Sequence, residues 1–275
     1  MPFPLAHPAA VLPLRRLCPR WLSLPALMIG CLAPDSSYFF LQYGTNLFAH
    51  TLGGSVVYCL PAAGLMFLVY HLIREPLTDA LPEPHREALL PISHMPSGSP
   101  IRIGLSLLVG IWSHLFLDWV TRESEFVVTQ LPLQDEMTSI RETGIPPTRL
   151  LWYALTLLGL GWLVAAYLQF LKRSTGSMRV FASWDLQRYV LWALLLVFPG
   201  IALLPFTLHH AEGWPHLYAI RRFLYVWSAG YLVALGLSVV ATGFVLRGIQ
   251  SVHPKRELVL IGKRPHRKRH RRSTG

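Results

Sequence analysis

Five apolar blocks, Leu52 to Ile73, Ile101 to Thr121, Leu150 to Leu171, Tyr189 to His209 and Phe223 to Leu246, are each long enough to cross the hydrocarbon core of a bilayer, which takes about 20 residues of α-helix. Backbone N–H and C=O groups cannot be left unpaired in hydrocarbon, so each block must close its own hydrogen bonds as a helix. No alternating strand pattern competes with that reading. The fold class that follows is all-α, a polytopic transmembrane helical bundle of five spans. Pro61, Pro199 and Pro205 fall inside the blocks and read as kinks rather than helix ends. At 275 residues, with 52% hydrophobic and only 14% charged, the chain has no length left for a large soluble domain. Residues 1–250 read as a single transmembrane domain and 251–275 as a disordered polybasic tail.

The beginning of the chain is less regular. Leu22 to Ala33 is apolar but too short to span comfortably, and Pro25 and Pro34 bracket it. Five spans plus a re-entrant or interfacial start is the expected arrangement. The alternative is a sixth span running on through "YFFLQYG", which Arg15, Arg16 and Arg20 favour because they draw the preceding segment to the cytoplasmic side. The same stretch, ending in "LMIGC" at Cys31, shares loose features with a lipoprotein leader. Cys18, Cys31 and Cys59 make neither a CxxC pair nor a disulfide framework.

The net charge of +11 is concentrated in "KRELVLIGKRPHRKRHRRSTG", Lys255 to Gly275. Positive residues beside a span stay on the cytoplasmic side, so the C-terminus is expected inside. Counting back, the stretch 172–188, with Lys172, Arg173, Arg179 and Arg188 against Asp185, falls inside as well, and 122–149 falls outside. Membrane lipids are the expected partners, with anionic headgroups beneath the basic tail at about 1 kcal/mol per charge near the surface. The tail has no aromatic or motif framework, so no specific nucleic acid is expected.

On this map one face collects His50, the end of the Ile101 to Thr121 helix, and the loop "HHAEGWPH". In "GIWSHLFLDWVTRE", His114 and Asp118 stand four residues apart, on one helix face and about 5–6 Å between Cβ atoms. Ionisable residues inside a span are costly and usually functional. Imidazole nitrogen and carboxylate oxygen both suit Zn²⁺, but two ligands do not make a site. His7 in "PLAHPAA", Asp35 in "LAPDSSYFF" and His50 in "LFAHTLGG" lie at the edges of apolar segments and are candidates to complete it. His209, His210, Glu212 and His216 fall on the same face as further candidate ligands or substrate contacts. Dinucleotide, phosphate-loop, nucleophile-elbow and HExxH motifs are absent. The glycines of "TLGGS" and "LLGLGWL" read as close-packing positions between spans.

The opening "MPFPLAHPAAVLPLRR", then "APDSSYFF", "AHTLGG" and "SHLFLDWVT", resemble a family of uncharacterised bacterial integral membrane proteins known only as a domain of unknown function. That family is in turn similar to membrane-bound, metal-dependent hydrolases of the zinc-dependent phospholipase C type. The resemblance implies that His7, Asp35, His50, His114 and Asp118 ligate a divalent cation, zinc first, with Asp35 or Asp118 also serving as the catalytic carboxylate. It further implies a bacterial inner-membrane protein hydrolysing a phospholipid or another membrane-associated ester. The chain departs from the family pattern where Thr121 is followed by Arg122 instead of histidine, and from the hydrolases at "PDSSY" and Thr51. The rival expectation is a non-catalytic scaffold or small transporter, ordered by a structural His/Asp network.

Overall fold

The computed structural model describes residues 4–36, 48–122, 147–175, 186–211 and 216–252, and helices dominate all five segments. Five helices have the length and apolar composition to cross a membrane: Leu52–Asp79, Pro100–Val120, Leu150–Thr175, Leu186–His209 and Val226–Val252. This is the architecture of a multi-pass membrane protein, and its spans coincide with the five apolar blocks to within a few residues at most ends. Large apolar side chains stay exposed along them, among them Leu157, Leu158, Val164 and Leu168, because lipid rather than a protein neighbour is their intended solvent.

In chain order the elements are a 3₁₀ segment (Pro4–Ala10), α1 (Val11–Leu17), α2 (Leu24–Leu32), α3 (Leu52–Asp79), α4 (His85–Ser93) and α5 (Pro100–Arg122), followed by α6 (Pro147–Thr175), α7 (Leu186–Ala202), α8 (Leu204–Ala211) and α9 (His216–Val252). A single π-helical turn, Ser55–Cys59, is built into α3, and Pro61 follows it without ending the helix. Pro199 sits inside α7. Pro205 likewise lies inside the span Leu186–His209: the helix is interrupted at Leu203 alone, and Leu203 N bonding Pro199 O at 3.2 Å and Thr207 N bonding Leu203 O at 3.0 Å carry it across. The carbonyls near this break are reached from α9, as Trp227 donates to Gly200 O at 3.0 Å and Tyr231 to Leu196 O at 2.9 Å.

The most buried span is α5, and the beginning of the chain folds against it. One constant offset, seen in two contacts, defines the packing. Ser23 N bonds Ser106 Oγ at 2.8 Å, and His114 Nδ1 meets Cys31 O at 2.8 Å, both 83 residues apart, so α2 and α5 run parallel and in register. The preceding segment runs the other way: His7 faces Asp118 at 3.5 Å, while Arg102 donates to Pro19 O and Leu22 O at 3.2 and 2.9 Å. Residues 4–36 are therefore a re-entrant hairpin. The nine residues of α2 cover about 14 Å, half the thickness a span needs. The hairpin resolves the competing demands on this region, since its turn carries Arg20 to the Arg102 end of α5 while His7 and Asp35 stand at the opposite end. "YFFLQYG" and the tail from 253 lie outside the described residues.

Small residues permit this crossing. A Cβ on Gly30 would stand 2.1 Å from Leu107 O, and one on Gly110 would stand 2.3 Å from Leu27 O. Glycine at both positions lets the two backbones touch, the packing mode that replaces hydrophobic collapse inside a membrane. A Cβ on Gly159 of α6 would likewise stand 3.0 Å from Ala6 O, whereas one on Gly161 would meet nothing within 4 Å. At the other end of the bundle α4 meets α6, Nδ1 of His85 lying 2.6 Å from Tyr167 Oη, and α7 meets the turn between α3 and α4, where Tyr189 donates to Glu83 O and Trp192 to Ala80 O.

Candidate metal centre

The side chains of His7, Asp35, His50, His114 and Asp118 meet at one end of the bundle. Four elements deliver them. His7 comes from the 3₁₀ segment, Asp35 from the turn after α2, His50 from the residue before the α3 cap, and His114 with Asp118 from one face of α5. All five side chains are at most 9% exposed.

His50 is placed by local chemistry. Thr51 is the N-cap of α3, its Oγ1 accepting from Gly54 N at 2.9 Å and donating to Phe48 O at 2.8 Å, the usual service of a threonine at a helix start. Gly54 leaves the necessary room: a Cβ there would fall 1.8 Å from Phe48 O. The glycines of "TLGGS" thus serve a local turn at Gly54 and not packing between spans. The Cys59 thiol, from the π turn, donates to Ala49 O at 3.2 Å and fastens the same loop from the other side. Asp35 is fixed by its neighbour, Ser36 Oγ donating to Ala33 O at 2.6 Å with Tyr58 Oη 3.5 Å away.

His114 is the centre of the group. Its Nδ1 is committed to Cys31 O, which leaves Nε2 directed at the carboxylates and fixes the ring as second-sphere partners fix metal-binding histidines. From Nε2 the distances are 3.6 Å to Asp118 Oδ2 and 3.8 Å to Asp35 Oδ1. His50 Nε2 lies 3.3 Å from Asp118 Oδ2 and 3.7 Å from Asp35 Oδ1. The remaining contact is His7 Nε2 to Asp118 Oδ1, at 3.5 Å. Charge-assisted hydrogen bonds measure about 2.7–2.9 Å, so these atoms face one another without closing on one another. Among the described residues, His7 Nδ1 and Nε2, Asp35 Oδ1 and His114 Nε2 are buried with no hydrogen-bond partner.

The separations fit a shared cation. Ligands about 2.0–2.2 Å from a tetrahedral ion stand roughly 3.3–3.6 Å from each other, close to the range found here. Two carboxylates buried together among imidazoles make a donor set that a divalent cation suits. Two overlapping groups have donors within 4.8 Å of one another, His7 with His114 and Asp118, and Asp35 with His50 and His114. His114 belongs to both, yet it has a single nitrogen to give.

All five residues expected to share a site are thus brought together near the ends of spans: Asp118 lies two residues from the end of one and His50 two residues before the start of another. Of the other candidates, His209 is exposed at the end of α8, while the side chains of His210, Glu212 and His216 lie outside the described residues. Cys31, Thr51 and Gly54 were not anticipated as parts of the site. Thr51 ahead of "LGG" carried a capping signal; the role of Cys31 is played by its backbone carbonyl, which leaves no trace in residue type. The Cys31 side chain is itself fully buried between α2 and α5.

No curated protein and no solved structure matches the chain. A protein-family model described as "Domain of unknown function (DUF4184)" matches residues 1–242.

Proposed function

The chain belongs to that family of unknown function, and we propose that it is a membrane-embedded, divalent-metal-dependent hydrolase, with zinc as the ion and a phospholipid or another membrane-associated ester as the substrate class. The observation that carries the reading is the spacing of 3.3–3.8 Å among buried nitrogen and oxygen donors contributed by Asp35, His50, His114 and Asp118. Such spacing suits a common cation better than it suits a structural network, whose members would close to hydrogen-bond length. Nitrogen and carboxylate donors together favour zinc over the harder magnesium and calcium.

When bound, the cation would polarise a phosphoryl or acyl oxygen and lower the pKa of a coordinated water toward neutrality. The chain's own residues divide the remaining work. His50, His114 and Asp118 make the shorter contacts, 3.3 and 3.6 Å, and serve as the ligand triad. Asp35 stands farther off, at 3.7 and 3.8 Å, and has the most exposed side chain of the five. It is the carboxylate placed to take the proton of an attacking water, a role that requires a group within reach of the reacting water. The site sits at the level where spans end, so an ester at the headgroup boundary reaches it without leaving the bilayer.

The basic residues support an orientation. Arg74, Arg102, Lys172, Arg173, Arg188 and Arg247 all lie at the ends of α3, α5, α6, α7 and α9 that are remote from the site. With the basic tail they favour a cytoplasmic side for that end and for the C-terminus, which would put the metal site at the outer leaflet of a bacterial inner membrane. The test is reconstitution into vesicles containing phosphatidylethanolamine and phosphatidylglycerol, with zinc, reading released products by mass spectrometry. Hydrolysis that disappears in Asp118→Ala and Asp35→Asn supports the reading. Hydrolysis unchanged in both variants contradicts it.

A further inference from the structure

The imidazole rings of the site are not equivalent. His50 and His114 have centroids 5.4 Å apart and planes inclined at 52°. His7 and His114 are stacked, centroids 4.0 Å apart and planes only 14° from parallel. An imidazole binds an ion along the in-plane lone pair of its nitrogen, so two rings can share an ion only where their planes meet.

His50 and His114 meet that condition. A ring centre lies about 3.2 Å from an ion held at the usual Zn–N distance. Centroids 5.4 Å apart then subtend about 115° at the ion, near the tetrahedral angle. His7 and His114 fail it. Rings stacked at 4.0 Å would subtend only about 77°, and carbon contact holds their planes about 3.5 Å apart. The 14° tilt narrows that gap by less than about 1 Å over the distance from ring centre to ion. An ion in the plane of His114 therefore lies well outside the plane of His7.

Asp118 shows what His7 faces instead. Oδ2 of Asp118 is directed at His50 and His114, at 3.3 and 3.6 Å, whereas Oδ1 is directed at His7, at 3.5 Å. Resting on the metal-centre reading above, we infer that His7 is not a ligand but a positioning residue, which stacks on His114 and engages Oδ1 so that Asp118 binds the cation through Oδ2 alone. The second oxygen is thereby kept out of the coordination sphere, and a position stays open beside Asp35. Because His114 has only Nε2 to offer, one ion per chain is expected, and not a bridged pair.

The experiment uses the full chain in mild detergent, loaded with Co²⁺ in place of zinc, and reads metal per chain by elemental analysis together with the visible Co²⁺ spectrum. His7→Phe keeps a ring on His114 and removes the nitrogens; His7→Gln keeps a donor; His114→Ala removes a ligand. Size-exclusion profiles identify any variant that fails to fold. We expect one ion in wild type and in both His7 variants, with affinity falling less than tenfold, against a loss of more than a hundredfold in His114→Ala. The His7→Phe spectrum should weaken as Asp118 gains a second bond to the ion, and His7→Gln should restore it. Metal loss in His7→Phe as complete as in His114→Ala, two ions in wild type, or a His7→Phe spectrum identical to wild type each overturns the inference. Full metal retention in His114→Ala overturns the metal-centre reading itself, and this inference with it.

Discussion

Replacing Gly110 by alanine tests how the hairpin controls the site. The added Cβ would lie 2.3 Å from Leu27 O, 2.9 Å from Cys31 N and 3.1 Å from Gly30 Cα. These are backbone atoms, so no side-chain rotation relieves the overlap. Restoring ordinary contact of about 3.4 Å requires α2 to move away from α5 by about 1 Å, within the small range of overpacking that closely packed interiors resist. A shift of that size carries Cys31 O from its 2.8 Å contact with His114 Nδ1 to roughly 3.8 Å, beyond hydrogen-bond reach. The overpacking costs about 1–3 kcal/mol, and the buried imidazole nitrogen left without its acceptor about 1–3 kcal/mol more. Loss of such an outer partner typically lowers metal affinity about 10–100-fold. The assay is a zinc titration against a chromophoric chelator in detergent, with a thermal melt on the same sample. Gly104→Ala, on the same helix with nothing within 4 Å, is the control and should match wild type. If Gly110→Ala also binds zinc with wild-type affinity, the coupling of the α2–α5 crossing to the His114 ring is refuted.

Two further outcomes follow from the geometry. Gly54→Ala forces Phe48 O away from a contact of 1.8 Å and displaces His50, so it should lose zinc affinity at least tenfold in the same titration, whereas Gly53→Ala, whose nearest neighbour is 4.0 Å distant, should not; equal affinities would exclude the turn as the determinant of the His50 position. Zinc at a thousandfold excess over its dissociation constant should stabilise the fold by about 4 kcal/mol, seen as a melting temperature that falls on chelation in wild type and is unmoved by chelator in His114→Ala; a chelator-insensitive wild type would argue against a bound ion.

How much of this could be read beforehand varies with the physics involved. The spans were legible because membrane insertion is decided by composition over about 20 residues, and Leu52–Asp79 through Val226–Val252 fall where the apolar blocks do. His114 and Asp118 were legible as a pair because helical periodicity fixes their shared face. The hairpin of residues 4–36 was legible only as something too short to span. Its parallel register with α5 depends on Gly30 and Gly110 meeting across about 80 residues of intervening chain, a relation no local pattern carries. Pro205 was legible as an interruption within a span because its ring removes one N–H from the helical ladder. His7 was legible as a member of the site from its place in "PLAHPAA", but the face-to-face stacking that separates it from the other histidines is a property of ring orientation, set by the 3₁₀ segment and by α5 together.

The most direct test of the metal centre is X-ray absorption at the zinc edge of the purified, zinc-loaded chain. Stoichiometric zinc is expected, with nitrogen and oxygen neighbours at about 2.0–2.2 Å and outer-shell scattering from two imidazoles, and His114→Ala should abolish that signal. Sub-stoichiometric zinc in an all-oxygen shell, the same in wild type and variant, would contradict it.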